Sequence, residues 1–203
     1  MERILDKTLE FFKRNIYLLR ILISGLFLLS AIAKLYPSVN IGFIKGFEYD
    51  QLIIGLGLPQ DLAQYASRII LSLEFFIAIA ILQSHFLKKI ILPLSLILLS
   101  VFSFHLFISI LEGDTGNCGC FGQLIPMSPI EALIKNIISI FIIYFIFKYS
   151  HYKSRSRFSI ITIIFLLSTL FMFIIAPLRS LETSKVQIYQ QEKSIYSKYI
   201  PHA

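Results

Sequence analysis

Five segments of the chain are long and apolar enough to cross a lipid bilayer as α-helices. A helix needs about 20 predominantly apolar residues to span the hydrocarbon core. The predicted spans run from about Ile16 to Tyr36, Leu62 to Leu82, Ile90 to Leu111, Pro129 to Phe147 and Phe158 to Leu178. Because these spans leave no room for a separate soluble core, the sequence predicts an all-α integral membrane protein.

Composition and net charge exclude other classes of protein. Only 15% of the 203 residues are charged and 56% are apolar, whereas soluble domains carry about a quarter charged residues. This composition excludes a disordered chain and argues against a water-soluble enzyme. A net charge of +7 would suggest a nucleic-acid partner for a soluble protein. Here the basic residues bracket apolar spans, so we expect membrane lipid as the surrounding partner and no nucleic acid.

Lys and Arg in the connections between spans predict the orientation, because they favour the cytoplasmic side. Ten of them lie on the side of the N-terminus and five on the opposite side. The ten are Arg3, Lys7, Lys13, Arg14, Lys88, Lys89, Lys148, Lys153, Arg155 and Arg157; the five are Lys45, Arg179, Lys185, Lys193 and Lys198. We therefore expect a multi-pass protein of the inner (cytoplasmic) membrane, with residues 1–15 cytoplasmic and residues 179–203 forming a polar tail outside.

A cleaved signal peptide is the alternative interpretation of the first span. Ala31-Ile32-Ala33 fits the small-x-small pattern of a cleavage site. However, the apolar run before it is longer than a usual signal-peptide core, and the leader carries the acidic residues Glu2, Asp6 and Glu10. We therefore keep this segment as a membrane span.

The two cysteines of the chain, Cys118 and Cys120, lie in one glycine-rich connection on the predicted outer side. That side is an oxidising compartment in bacteria. Cysteines separated by one glycine can form a tight, strained disulfide, which exchanges readily and stabilises the fold little. The pair therefore indicates disulfide exchange. A loop staple, or two thiols packed at the membrane surface, is the structural alternative.

Metal binding is a third interpretation of the cysteine pair. Two thiolates with His105 could form a soft site for Cu(I) or Zn²⁺, and a four-ligand zinc site would need a further donor such as Asp114 or Glu112. Because His105 is the one intramembrane histidine on the outer side, we predict no metal site. We also predict no cofactor; no quinone-binding motif is readable, which leaves the electron source open.

Charged residues within membrane spans are costly and usually face the interior of the bundle. Glu74 lies near the middle of the second span and needs a partner or a proton. The candidate partners are Lys34, near the outer end of the first span, and Arg20, near its inner end, although either side chain could extend to the interface. We favour a structural ion pair over a proton or ligand role for Glu74.

His105, Lys135 and Asn136 are predicted to lie in the outer third of the bundle, close to the cysteines. A histidine near a thiol can act as a base for exchange, and a hydrogen bond to a neighbouring helix is the alternative. Asn136 is expected to hydrogen-bond between helices or to cap the loop. The run Ser128-Pro129-Ile130-Glu131 has the pattern of a capping box, which predicts that the fourth helix begins shortly after Cys120.

These motifs resemble the methylamine utilisation protein MauE family. The string Cys118-Gly119-Cys120-Phe121-Gly122 between two spans, followed by a capped helix with Lys135-Asn136, is similar to that family. The end of the first span, Ser30-Ala31-Ile32-Ala33-Lys34-Leu35, together with Arg20 and Glu74, is similar to the related DoxX-like membrane proteins. The resemblance implies a four-helix transmembrane bundle, which we assign to residues 16–150. Residues 151–178 add a fifth, C-terminal transmembrane helix.

The resemblance also implies a function. MauE is implicated in maturing methylamine dehydrogenase, whose small subunit is rich in disulfides. We therefore predict thiol–disulfide exchange, or maturation of an exported partner protein, with Cys118, Cys120 and His105 as catalytic residues. An exported client or a thioredoxin-like protein is the expected partner. A non-enzymatic assembly subunit is the alternative, and a small-solute or metal transporter using Glu74 and His105 is less favoured because no inverted repeat or broken helix is evident.

Overall fold

The fold is a bundle of helices in a computed structural model that describes residues 15–35, 44, 48, 52–53, 56–113, 118, 121, 124–150 and 157–178. Five of the helices in these ranges are long and apolar enough to cross a membrane. They are α1 (Ile16–Leu35), α2 (Gln60–Ala80), α3 (Leu92–Leu111), α4 (Pro129–Tyr149) and α5 (Phe158–Ile175). A π-helical turn, Leu87–Ile91, continues directly into α3, so the third span runs from Leu87 to Leu111. The prediction of an all-α membrane protein with five spans is confirmed, and the predicted boundaries agree within a few residues.

Several predicted features fall outside the described residues. They are Cys120, Asp114, the predicted cytoplasmic segment up to Arg14 and the predicted outer tail 179–203.

The start of α4 is fixed by the predicted capping box. The Ser128 hydroxyl accepts a hydrogen bond from the Glu131 backbone N–H at 3.4 Å, and Glu131 Oε2 accepts one from the Ser128 backbone N–H at 2.8 Å. Pro129 occupies the first helical position, where its missing N–H costs nothing. The capping box is confirmed, and it begins α4 a few residues after the connection that holds Cys118.

The order of the elements places the ends of three helices and the starts of two at one end of the bundle. α1, α3 and α5 end there, and α2 and α4 begin there. This end also carries the α3–α4 connection with Cys118, and we call it the CGC end. α1 packs against both α2 and α4, α3 packs against α4, and α5 packs against α2.

Side chains between the packed helices and side chains on the outer faces of the helices differ in their exposure. The core between α1, α2, α3 and α4 contains fully buried aliphatic side chains, among them Ile23, Ile77, Leu92, Ile143 and Ile146. Large apolar side chains on the outer faces are instead more than half exposed, including Phe104, Leu111, Phe141 and Ile174. Such extensive exposed apolar surface is rare on soluble monomers, and it matches helices that face lipid.

Candidate functional site

A cavity near the CGC end lies between α1, α2, α3 and α4. Its volume is about 50 Å³, counted as the space open to the centre of a water molecule. One water needs about 10–15 Å³ on this measure, so the cavity can hold several. The polar side chains in its wall are Ser30, Lys34, Glu74, His105, Cys118, Lys135, Asn136 and Ser139. The fold therefore brings together six of the eight site residues predicted from the sequence; of the other two, Arg20 lies elsewhere and Cys120 is outside the described residues.

Glu74 forms a buried ion pair with Lys34 in the cavity wall. Lys34 Nζ lies 2.8 and 2.9 Å from the two carboxylate oxygens of Glu74, and the two side chains are 3% and 1% exposed. Ser30 Oγ donates to the same carboxylate at 3.2 Å and accepts from Lys34 Nζ at 2.8 Å. Side chains lean toward the N-terminus of their helix. Lys34, at the end of α1, therefore reaches back by one turn to Ser30 and Glu74.

Arg20, the other predicted partner of Glu74, binds carbonyl oxygens at the opposite end of α2. Its Nε donates to the Ile81 carbonyl at 2.6 Å, and its Nη2 donates to the Gln83 carbonyl at 2.7 Å. The last carbonyls of a helix have no partner within the helix. Arg20 supplies hydrogen bonds there and joins the start of α1 to the end of α2.

Cys118 is buried rather than displayed on the loop surface. Its side chain is 5% exposed and packs with Leu106 of α3 and Ala132 of α4. Its backbone N–H donates to the Met127 carbonyl at 2.8 Å, which holds the connection against the start of α4. The sequence predicted a loop on the outer side for Cys118 but did not indicate whether its side chain is exposed or buried.

Lys135, Asn136 and His105 surround the same space as Cys118. Lys135 Nζ lies 4.2 Å from the centroid of the Phe121 ring, a cation–π distance. Asn136 is 2% exposed, and its Nδ2 has no hydrogen-bond partner among the described residues. His105 lines the cavity from α3 and is half-buried. Within the described part of the chain, this amide nitrogen therefore does not make the hydrogen bond between helices that we expected for Asn136.

The polar groups of the cavity wall divide into two sets. Glu74 is neutralised by Lys34, so the acidic group of the wall is already engaged. The other titratable or amide side chains in the wall are those of His105, Lys135 and Asn136, all of which can donate hydrogen bonds. These side chains give the cavity wall hydrogen-bond donors that a group entering the cavity could use.

No group of three or more His, Cys, Asp or Glu side chains within the described ranges could hold a metal ion. The thiol and imidazole that we considered as ligands, Cys118 and His105, line one cavity. Glu74, a further carboxylate in the wall of that cavity, is already paired with Lys34.

The cavity and the helices around it fall within a recognised family segment. The family described as Methylamine utilisation protein MauE matches residues 13–149, which include all of α1 to α4. The chain belongs to the MauE family. The resemblance to the MauE family is thereby confirmed.

A MauE-like relative is also similar over most of this chain. The chain is 46% identical over 166 residues to Protein TlpB of Flavobacterium psychrophilum. The alignment covers 80% of this chain and 45% of that protein, so this chain spans less than half of the relative's length. No solved structure matches the chain.

The fifth helix lies beyond the MauE segment and docks on α2 through aromatic contacts. Phe75 and Phe171 stack with ring centroids 5.1 Å apart. Phe76 and Phe165 meet edge to face at 5.5 Å. Such pairs add to the free energy gained from burying the rings, and they attach α5 to the MauE bundle through α2.

A buried polar cluster around Arg68 was missed by the sequence analysis. Arg68 is 0% exposed and forms an ion pair with Glu48. It also donates to the Ala176 and Pro177 carbonyls, at 3.0 and 3.3 Å, at the end of α5. An arginine within a span requires partners, and that signal was available in the sequence. The partners could not be found from it, because they come from segments far from Arg68 in the chain.

Proposed function

We propose that this MauE-family membrane protein exchanges disulfides with an exported partner protein through Cys118 and Cys120. The observation that carries the proposal is the position of Cys118, in the wall of a membrane cavity that His105 and Lys135 also line. A loop staple would need no such surroundings, whereas a thiol that cycles between thiolate and disulfide uses nearby cations and a proton acceptor.

We propose different roles for the two cysteines, and the burial of Cys118 supports this division. A client protein cannot reach a side chain that is 5% exposed, so the bond to the client forms at Cys120. A client thiolate attacks the Cys120 sulfur of the Cys118–Cys120 disulfide, and Cys118 leaves as a thiolate. A second client thiol then displaces Cys120, so the client gains the disulfide and the cysteine pair keeps two thiols. His105 is the proposed acceptor and donor of the protons in these steps.

Replacement of Cys118 by serine is expected to trap a covalent adduct with the client. In Cys118→Ser, the Cys120 thiolate can still attack a disulfide of the oxidised client, which forms the mixed disulfide and frees one client thiolate, but Cys118 is no longer present to complete the exchange. Non-reducing gels of membranes from cells that express the chain should show a dithiothreitol-sensitive band in this variant. The double variant Cys118→Ser/Cys120→Ser, as the matched control, should lack it.

The alternative, a non-enzymatic assembly subunit, predicts a different pattern. A ring of two cysteines and one glycine constrains the unfolded chain little, so a scaffold should tolerate all three replacements and form no adduct. Absence of the band from both single variants, with full function in the double variant, would reject the exchange mechanism. An adduct in Cys120→Ser but not in Cys118→Ser would reverse the proposed roles.

We further propose an inner-membrane location with the CGC end outside, residues 1–15 in the cytoplasm and the tail 179–203 outside. The distribution of ten basic residues against five supports this orientation. It places the cysteines in the compartment where exported clients and thioredoxin-like proteins would meet them. In this division residues 16–150 form the MauE-like domain and residues 151–178 supply the additional transmembrane helix.

Single cysteines in the double variant should report this orientation. Leu124, 41% exposed in the α3–α4 connection, marks the CGC end, and the exposed Ser84 between α2 and α3 marks the other end. A membrane-impermeant thiol reagent should label Leu124→Cys in spheroplasts, and Ser84→Cys only after the inner membrane is opened. The reverse pattern would show that the chain is inserted the other way.

A further inference from the structure

We propose that the cavity beside Cys118 binds the head group of a lipid-soluble quinone, which reoxidises the cysteine pair. This inference rests on the proposed exchange function and supplies the electron acceptor that the function needs. It is carried by three features of the cavity: a gap between two helices, an unsatisfied amide donor and the neighbouring thiol.

The gap lies between α1 and α3. α1 packs closely on α2 and α4, and α3 on α4, whereas α1 and α3 make few close contacts with each other. The cavity is lined chiefly by side chains of α1, α3 and α4 and is only partly enclosed. Its flanks are apolar, with Phe27 on α1 and Leu99 and Phe102 on α3. A flat, apolar ring that arrives from the membrane can enter such a gap, and its hydrocarbon tail can stay in lipid.

Asn136 indicates that the ligand should carry a hydrogen-bond acceptor. Its Nδ2 is buried in the cavity wall with no hydrogen-bond partner among the described residues. Leaving a buried donor unsatisfied costs about 1–3 kcal/mol, so the amide is suited to a ligand that brings an acceptor. His105 lines the α3 side of the same space and is a second possible donor. The nearby carboxylate of Glu74 is engaged by Lys34, so the site favours a ligand with acceptor oxygens.

The redox chemistry of the cysteine pair narrows the choice among ligands that carry hydrogen-bond acceptors. Closing the Cys118–Cys120 disulfide breaks two S–H bonds, forms one S–S bond and releases two electrons and two protons. A quinone takes up that number of electrons and protons at its two carbonyl oxygens and leaves as a quinol. It combines the apolar ring that the flanks accept with the carbonyl acceptors that Asn136 and His105 can bind.

Quinone reduction by the purified full-length chain tests this proposal. The chain in lipid nanodiscs is reduced, freed of reductant and mixed anaerobically with decylubiquinone, whose fully substituted ring resists addition of thiols. We expect one quinol per chain from the native protein and none from Cys118→Ser/Cys120→Ser. Substoichiometric quinol, or equal quinol from the double variant, would overturn the proposal.

Replacement of Asn136 separates a ligand-binding role from a structural one. Asn136→Leu removes the amide but keeps the size of the side chain, so we expect about tenfold weaker quinone binding and a thermal stability equal to or above that of the native protein. His105→Phe should weaken binding in the same direction. Ser168→Ala is the control, because Ser168 is equally buried but lies on α5, away from the cavity. Unchanged quinone binding in both Asn136→Leu and His105→Phe would exclude this site.

Failure of the quinone proposal can be distinguished from failure of the disulfide-exchange proposal. A client adduct in Cys118→Ser without quinone reduction by the native chain would leave the exchange function standing and remove the quinone. Quinone reduction that depends on Asn136, without any client adduct, would support the quinone site and reject protein clients.

Discussion

Glu74→Ala is expected to lower the thermal stability of the folded chain by on the order of 10 °C, a loss of about 3–5 kcal/mol. The substitution leaves Lys34 with a charge that is buried in the bundle, where its carboxylate partner had been 2.8 Å away. Ser30, a neighbour of Lys34, offers a single hydroxyl in place of that carboxylate. Thermal aggregation of the purified protein in detergent, read by size-exclusion chromatography, measures the effect.

Two further variants make this prediction specific. Glu112→Ala removes an exposed carboxylate at the end of α3 and should change stability little. Lys34→Met/Glu74→Leu replaces the whole pair by apolar side chains of similar size and should recover most of the stability, because the uncompensated charge is gone. If Glu74→Ala behaves like Glu112→Ala, the ion pair does not stabilise the bundle.

The same double variant also separates the two roles that the sequence left open for Glu74. A purely structural pair predicts that Lys34→Met/Glu74→Leu keeps the disulfide activity proposed for Cys118. A proton or ligand role predicts a stable protein without that activity. The position of Glu74 in the cavity wall makes this comparison informative, because the pair and the thiol share one space.

The membrane spans could be predicted from the sequence because hydropathy and length decide them. Helix boundaries were less certain where polar residues continue a helix beyond its apolar part. α2 begins at Gln60, two residues before the predicted start at Leu62, because Gln60 and Asp61 form a polar first turn. The start of α4 was predicted correctly, since the Ser128 capping box marks it with specific side chains.

The site residues could be predicted in part, because intramembrane polar groups are rare and conspicuous. The need of Glu74 for a partner was evident from its central position, but the choice between Lys34 and Arg20 was not. That choice depends on where α2 ends, since the free carbonyls of Ile81 and Gln83 engage Arg20. The direction of the Cys118 side chain depends on how α3 and α4 pack, which spacing in the sequence does not specify.

Arg68 shows why some interactions cannot be predicted from local pattern. Its ion-pair partner, Glu48, lies in a connection that fits neither a membrane span nor a polar loop. Its carbonyl partners, on Ala176 and Pro177, lie more than 100 residues away in the chain. Nothing in the sequence near Arg68 indicates that α5 returns to this position.

Arg68→Ala is expected to lower the free energy of unfolding by about 3–5 kcal/mol, because it removes one partner of a buried ion pair. The substitution leaves Glu48 as a buried charge and removes the hydrogen bonds to the end of α5. The stability of Arg68→Lys should lie between that of Arg68→Ala and that of the native protein. An ammonium can still pair with Glu48, but it cannot reproduce the planar guanidinium that also reaches the two carbonyls. Thermal unfolding of the purified variants gives this order directly.

The matched control is Arg157→Ala, which removes an exposed arginine from the other end of the same helix α5. It should leave stability within about 0.5 kcal/mol of the native value. A double-mutant cycle of Arg68→Ala with Glu48→Ala then isolates the interaction between the two side chains. If Arg68→Ala costs no more than Arg157→Ala, Arg68 does not hold α5 on the bundle. In that case the aromatic contacts of Phe75 and Phe76 would attach α5 to the MauE core.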